Sequence, residues 1–294
     1  MQKKLGLPID QVYLQNLRFA DDVLLVGTSL KQIELMLNDL AVESVQAGLE
    51  IHQGKTKVLS NVTKRRGYNR KASIDIMGSA VEVLPINKYT EYLGRVLTFS
   101  DFHDSEIDSR IAKAWRKFYY FRSELCCKDY PLKNRMKLFN GVVTPTALYC
   151  SASWTMTYER AHKLQTAQRR MLRMMCQTPR KLTETWVDWI QRATEQVTRL
   201  MRTFGVESWV VLQRQRKWRW AGIVARLADG RWTKLSLTWQ PQHAKRRVGR
   251  PCARWSDDLV KFVSGYDGQD GVDWYLFAQD EETWNSMERL FSDA

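Results

Sequence analysis

The sequence predicts an α+β protein, with short strands in the first hundred residues and helices through most of the rest. Two features of the sequence lead to this prediction. Residues 12–26 are rich in β-branched and aromatic side chains and are interrupted once, at Ala20-Asp21-Asp22, which is typical of two strands joined by a turn. From about Asp104 onward, apolar residues recur at three- and four-residue spacing, which is typical of amphipathic helices.

The individual elements follow in order along the chain. Thr28-Ser29 offers an N-cap, and the apolar residues of 33–45 have helical spacing up to a stop at Gly48, so a helix is predicted there. Three short strands are expected next, at Lys57–Asn61, Ser73–Met77 and Val81–Leu84. Three helical stripes follow at residues 107–125, 132–143 and 164–175, the second ending near Pro145 and the third closed by Pro179.

Composition divides the chain into three predicted domains. Residues 1–100 hold the strands and the first helix, and residues 101–182 hold the helical stripes. Residues 183–294 form a Trp-rich and Arg-rich helical region that ends in an acidic tail. A chain of 294 residues is long enough for several such domains.

Positive charge is concentrated in one part of the chain. The formal net charge is +14, but residues 155–254 hold 22 Lys and Arg against 6 Asp and Glu, while residues 255–294 hold 2 against 10. A block this basic, interleaved with Trp, favours binding to nucleic-acid phosphates. The alternative is a solvated basic surface that only keeps the protein soluble.

Cysteine spacing and hydropathy set further limits. The five cysteines are an odd number, and no two have the spacing of a zinc site, so reduced and mostly packed thiols are expected. No apolar run approaches the length of about 20 residues that spans a bilayer, and the N-terminus has no apolar signal core. A nuclear or cytoplasmic protein is therefore expected, neither secreted nor in a membrane.

Asp21 and Asp22 are the candidate catalytic and metal-binding residues. Two adjacent carboxylates between apolar strands repel one another unless a cation neutralises them. At the tip of a hairpin they offer the hard oxygen ligands that Mg²⁺ prefers, and two-metal phosphoryl transfer needs such ligands. The alternative is a solvent-exposed turn with no bound ion, because Asp is common in turns.

Three segments resemble motifs of non-LTR retrotransposon reverse transcriptases, in the family's order and spacing. Leu17–Leu25, which contains Phe19-Ala20-Asp21-Asp22, resembles the metal-binding turn of the palm. Ala47–Lys57 is similar to the next palm motif, although the family usually has Asn at the position of His52. Lys88–Leu97 is similar to the family's Tyr-Leu-Gly strand.

The resemblance implies a fold and a function. Residues 1–100 would be the C-terminal half of a reverse-transcriptase palm and residues 101–182 a helical thumb. Lys55 would lie near the incoming triphosphate, where a cation suits the leaving pyrophosphate. Tyr92, Leu93 and Gly94 would approach the end of the primer. The activity would be RNA-directed DNA synthesis with Mg²⁺ as the cofactor and an RNA template and DNA primer as partners.

The same resemblance implies an incomplete site. The family takes a third metal-binding Asp from an earlier palm strand, and the twenty residues before Asp21 do not contain that half of the palm. We therefore expect no polymerase activity from this chain alone. The first alternative is a non-catalytic nucleic-acid-binding protein derived from a retroelement, in which the Asp pair is a relic. A second is a host protein with a coincidental motif.

A second candidate site lies in the basic C-terminal stretch. Between Arg231 and Arg254 there are seven Lys and Arg and no Asp or Glu. A Gly-Arg-Pro core flanked by basic residues is typical of extended segments that enter narrow A·T minor grooves, and the alternative is a solvated basic loop. The acidic tail is expected to fold back and compete for this stretch. The candidate nucleic-acid-binding residues are Lys245, Arg246, Arg247, Arg250 and Arg254.

Overall fold

The structure is a computed structural model and describes residues 5–61, 73–239, 252–267 and 273–294. Within these ranges the chain has the predicted α+β class. It divides into two compact units. The described residues of 5–106 and 229–239 form unit one, and those of 107–228 and 252–294 form unit two. The boundaries of the three predicted domains stay a prediction.

Unit one begins with two antiparallel hairpins. Strands β1 (Leu7–Ile9) and β2 (Val12–Leu14) form the first, and β3 (Asn16–Phe19) and β4 (Asp22–Leu25) form the second. The apolar run from 12 to 19 was predicted as one strand but is two, separated at Gln15. The Gln15 carbonyl accepts a hydrogen bond from the Val26 amide at 2.8 Å, which closes the second hairpin.

Helix α1 (Leu30–Gln46) has the ends that the sequence predicts. The Ser29 hydroxyl accepts from the Gln32 amide, and Gly48 follows the helix at a φ of 74°, which favours glycine. The helix packs on a three-stranded sheet of order β5-β7-β6, made of β5 (Val58–Leu59), β6 (Ser73–Ile76) and β7 (Ser79–Leu84). Their shared core consists of Leu37, Ala41, Val58, Ile74, Ile76 and Val81.

Polar contacts fix α1 against the edge strand β6. The Asn38 side chain donates to the Asp75 carbonyl at 2.8 Å and accepts from the Met77 amide at 3.0 Å. The Glu34 carboxylate accepts from the Asp75 amide at 2.9 Å. These bonds satisfy backbone groups of an edge strand that would otherwise be open to pairing.

Two more elements complete unit one. Strands β8 (Thr90–Tyr92) and β9 (Arg95–Leu97) form a third hairpin, and α9 (Trp232–Thr238) belongs to the same unit. Leu93 and Gly94, which the resemblance placed within a strand, are instead the two-residue turn of this hairpin. Their φ angles of 50° and 74° are those of a turn whose twist matches the flanking strands.

Unit two is helical. Its first helices are α2 (Phe102–Tyr120), within which the division between the units falls, α3 (Arg122–Leu125) and α4 (Leu132–Leu138). A π-helical turn (Phe139–Val143) links α4 to α5 (Thr144–Ala147), so the helical segment ends at Ala147, close to the end that the sequence predicts near Pro145. The long helices are α6 (Tyr158–Cys176), α7 (Trp186–Phe204) and α8 (Trp209–Ala225).

A buried tryptophan anchors these helices. The ring of Trp209 stacks on Phe139, with centroids 5.9 Å apart, and its indole N–H donates to the Thr144 hydroxyl at 3.0 Å. Its amide donates to the Gln168 side chain at 2.8 Å. Trp209 is fully buried, and both its indole N–H and its backbone amide are hydrogen-bonded, so neither donor is left unsatisfied in the core.

The acidic tail forms a second core against α8. It contains α10 (Asp257–Asp267), α11 (Trp274–Phe277), α12 (Glu281–Ser286) and α13 (Glu288–Asp293). Trp218 of α8 stacks on Trp284 with centroids 3.6 Å apart, and each indole N–H donates to the other residue's carbonyl. None of the helices in the described ranges is long and apolar enough to cross a membrane.

Candidate active site and nucleic-acid surfaces

Asp21 and Asp22 lie at the tip of the β3–β4 hairpin. Phe19 pairs with Asp22, so Ala20 and Asp21 form a two-residue turn, and both Asp side chains are exposed. Ala20 adopts a φ of 51°, a region that costs a residue with a Cβ roughly 1–2 kcal/mol. The Asp pair therefore lies at a hairpin tip, as the sequence predicts, and α1 packs mainly on the separate sheet β5-β7-β6.

Tyr92 lies beside this hairpin. Its hydroxyl donates to the Leu17 carbonyl of β3 at 3.3 Å. Burial raises the pKa of the Tyr92 hydroxyl, and the nearby Asp22 carboxylate raises it further, because phenolate would face a like charge. The structure thus brings together two of the predicted site residues, Asp22 and Tyr92, with the Leu93-Gly94 turn directly after.

Lys55 occupies a separate turn after α1. Its amide donates to the His52 carbonyl at 3.1 Å and approaches the ring Nδ1 at 3.3 Å, and its side chain is exposed. The His52 ring nitrogen thus accepts from the Lys55 amide. The reverse transcriptases that this segment resembles usually have Asn at this position, and the Asn side chain also has an acceptor atom. Among the contacts of the described residues, none joins Lys55 to Asp21 or Asp22.

The side chains at the hairpin tip are of the type that binds Mg²⁺, but they are too few to hold the ion by themselves. Asp21 and Asp22 supply hard oxygen ligands. Within the described ranges, however, no group of three or more His, Cys, Asp or Glu side chains is placed to hold an ion. Two exposed carboxylates therefore do not make a closed metal site by themselves, and the two-metal clamp needs further ligands.

Most of the predicted basic stretch lies outside the described residues, namely Lys245, Arg246, Arg247 and Arg250. Arg254 is described. Its side chain is exposed, and its amide donates to the Asp257 carboxylate at 2.7 Å, just before α10 begins.

The described part of the acidic tail pairs with α8. Asp258 lies 2.6 Å from the ammonium group of the buried Lys217. Burial lowers the pKa of Lys217, and this carboxylate offsets only part of the shift. Arg219 of α8 pairs with Glu288 at 2.5 Å, and Arg226, which caps the C-terminal end of α8, pairs with Glu281 at 3.2 Å. Part of the basic block is therefore neutralised internally, which counting charges did not reveal.

Other basic side chains stay available to a ligand. Arg169 and Arg202 line a cavity of about 540 Å³ between α6, α7 and the start of α8. The third arginine of this cavity, Arg289, is paired with Glu207 at 3.1 Å and Asp293 at 2.8 Å. No ion pair to Arg169 or Arg202 is found among the residues that the structure describes.

Sequence reasoning missed a second exposed basic surface, on α2. Lys113, Arg116, Lys117 and Tyr120 share one face of the helix and line an open depression of about 640 Å³. The signal was present in the sequence as the run Lys-Ala-Trp-Arg-Lys-Phe-Tyr-Tyr from 113 to 120. The apolar stripe of residues 107–125 predicts the helix but says nothing about the polar and aromatic side chains on its exposed face.

Comparison with known proteins finds a relative that matches along nearly its whole length. The chain is 31% identical over 279 residues to a chain of Caenorhabditis elegans named as a transposon-derived protein, and the match covers 94% of this chain and 95% of the relative. No protein-family model matches the chain. No solved structure matches it either.

Proposed function

The chain belongs to the family of transposon-derived proteins that includes its nematode relative, and from this premise we propose that it is the C-terminal part of a non-LTR retrotransposon reverse transcriptase. The observation that carries the proposal is the exposed Phe19-Ala20-Asp21-Asp22 hairpin tip. The adjacent Tyr92 supports it, because the resemblance implies that the Asp pair and the Tyr-Leu-Gly segment share one site.

In this proposal the hairpin contributes two carboxylates to a larger polymerase site. Bound Mg²⁺ would supply charge neutralisation for phosphoryl transfer. Asp21 and Asp22 place carboxylate oxygens, the hard ligands that Mg²⁺ prefers, at the tip of the β3–β4 hairpin. Lys55 supplies a positive charge for the phosphates, and Tyr92, Leu93 and Gly94 lie at the primer end. The template is RNA and the primer is DNA.

Because only two of the implied carboxylates are in this chain, it should not polymerise DNA by itself. The purified chain, with Mg²⁺, an oligo(dT) primer and a poly(A) template, is expected to extend the primer no faster than its Asp21→Ala, Asp22→Ala variant. Primer extension resolved on a gel measures this. Robust extension that the double variant loses would contradict the incomplete site and strengthen the assignment as an enzyme.

The rival function is non-catalytic nucleic-acid binding by a retroelement-derived protein. The observation that favours it is the set of basic side chains in unit two that have no acidic partner among the described residues, including the half-buried Arg169 and the exposed Arg202. Mg²⁺ titration of the intact chain separates the two functions. Binding that the Asp21→Ala, Asp22→Ala variant loses supports the polymerase-derived site, and identical titrations of both proteins support the rival.

A further inference from the structure

The exposed face at the C-terminal end of α2 combines cations with aromatic rings. We define the α2 surface as Lys113, Arg116, Lys117, Tyr119 and Tyr120. Four of these residues, at positions 113, 116, 117 and 120, have the spacing that puts side chains on one face of a helix. The depression beside them is completed by Phe121 and Thr146.

The tyrosine side chains of this surface are largely open to solvent. Tyr120 is 77% exposed and Tyr119 is 53% exposed, so neither ring contributes much to the core. The Lys117 ammonium group lies 5.8 Å from the centroid of Tyr120 and 5.6 Å from that of Phe121. A cation close to an exposed aromatic ring suits a ligand that has both phosphates and flat bases, because the cation can contact the phosphate and the ring can stack on the base.

The aromatic row continues toward α6. Tyr119 stacks on Trp115, with centroids 5.7 Å apart and planes inclined by 29°. The guanidinium of Arg170, in α6, lies over the ring of Trp115, 5.6 Å from its centroid. Arg116 has no ion pair among the described residues, so its charge is not neutralised by a neighbour there.

We propose that the α2 surface binds single-stranded nucleic acid. Bases stack on Tyr120 and Tyr119, and the phosphates between them lie near Arg116 and Lys117. A single strand is preferred to a duplex because only unpaired bases expose faces that exposed rings can stack on. The inference rests on the proposed function, in that the partner is nucleic acid, but it concerns residues of unit two that lie apart in sequence from the Asp hairpin.

Fluorescence anisotropy of the intact chain with labelled 15-nucleotide (dT) and (U) oligomers tests the proposal, with a duplex of equal length alongside. Tyr120→Ala is expected to weaken single-strand binding about fivefold or more, and Tyr120→Phe to preserve it, because stacking needs the ring and not the hydroxyl. Arg116→Ala with Lys117→Ala is expected to reduce the salt slope by about one unit.

Matched controls separate the α2 surface from general effects. Tyr158 is 82% exposed on α6, so Tyr158→Ala removes an equally open ring, and Lys261→Ala removes an exposed cation of α10. Neither should change single-strand binding. Thermal unfolding monitored by circular dichroism checks that every variant is folded.

The outcomes distinguish this inference from the function beneath it. If the wild-type chain binds no nucleic acid at all, the proposed function and its rival fail together with this inference. If the wild-type chain binds and Tyr120→Ala binds equally well, only the α2 surface is refuted. Binding to anionic phosphatidylserine vesicles that depends on Tyr120, without binding to oligonucleotides, would mean a membrane partner and would also refute it.

Discussion

Ala20 and Leu93 both hold their backbones in the left-handed region, at φ angles of 51° and 50°, although neither is glycine. Each lies in a two-residue hairpin turn of the candidate site, one beside Asp21 and one beside Gly94. Such a conformation costs roughly 1–2 kcal/mol for a residue with a Cβ. The hairpins persist because their strand pairing and the Tyr92 bond to Leu17 fix the turns.

Gly94 adopts the left-handed backbone conformation of the same turn without the steric cost that Leu93 has there. At a φ of 74°, Gly94→Ala is expected to lower the free energy of unfolding by about 1 kcal/mol, because the added Cβ disfavours this conformation. Gly94→Asn should cost less, since Asn tolerates the left-handed region. Urea unfolding followed by circular dichroism measures both. Equal stability of the wild-type and Gly94→Ala proteins would mean that the turn is not held as described.

Short sequence signals predict where the helix α1 begins and ends, but they do not predict where the strands divide and turn. The Ser29 cap and the Gly48 stop follow from short sequence signals, and both are found in the structure. The strand from 12 to 19 was predicted as continuous because nothing in its apolar pattern marks Gln15. The resemblance places Leu93-Gly94 in a strand, and only the backbone of the structure shows that these two residues form a turn.

The contact between α8 and the tail depends on a glycine in the middle of a helix. A Cβ at Gly222 would lie 2.6 Å from the indole nitrogen of Trp284, which is closer than packed atoms approach. Gly265 of α10 has open space at the same position. The two glycines are both helical, so they differ in their surroundings more than in their backbones.

Replacing these glycines by alanine should therefore have opposite effects. Gly222→Ala is expected to destabilise the protein by roughly 1–3 kcal/mol through overpacking against the Trp218–Trp284 stack. Gly265→Ala is expected to stabilise it by about 0.5 kcal/mol, because alanine favours a helix. Thermal unfolding of both variants beside the wild type provides the measurement. A more stable Gly222→Ala protein would show that α12 does not pack on α8 in this way.

The distribution of charge over the whole molecule differs from its distribution along the sequence. The basic block and the acidic tail are separate in the sequence, but Arg219 and Arg226 pair with tail carboxylates 69 and 55 residues away. Sequence counts could not predict this, because it depends on which helix faces meet in the fold. Deleting residues 265–294 would not test the charge of the tail alone, because it would also remove Trp274, Trp284 and Phe291 from a buried core.

Neutralising the paired carboxylates tests whether the tail limits nucleic-acid binding, and it leaves the buried core in place. Glu281→Gln with Glu288→Gln should free Arg219 and Arg226, at a cost of less than about 1 kcal/mol for each partly exposed pair. Freed guanidiniums can contact phosphates, so affinity for a short oligonucleotide at low salt should rise and the salt slope should steepen by about one unit.

The control is Glu195→Gln with Glu282→Gln. It changes the total charge by the same amount, but neither carboxylate has an arginine partner among the described residues. It should raise affinity less, because it adds net charge without releasing an arginine. Anisotropy titrations from 50 to 200 mM salt, a range over which counterion effects are large, compare the two double variants. Identical slopes for the two would mean that only the total charge matters. In that case the pairing of the tail with α8 does not limit nucleic-acid binding.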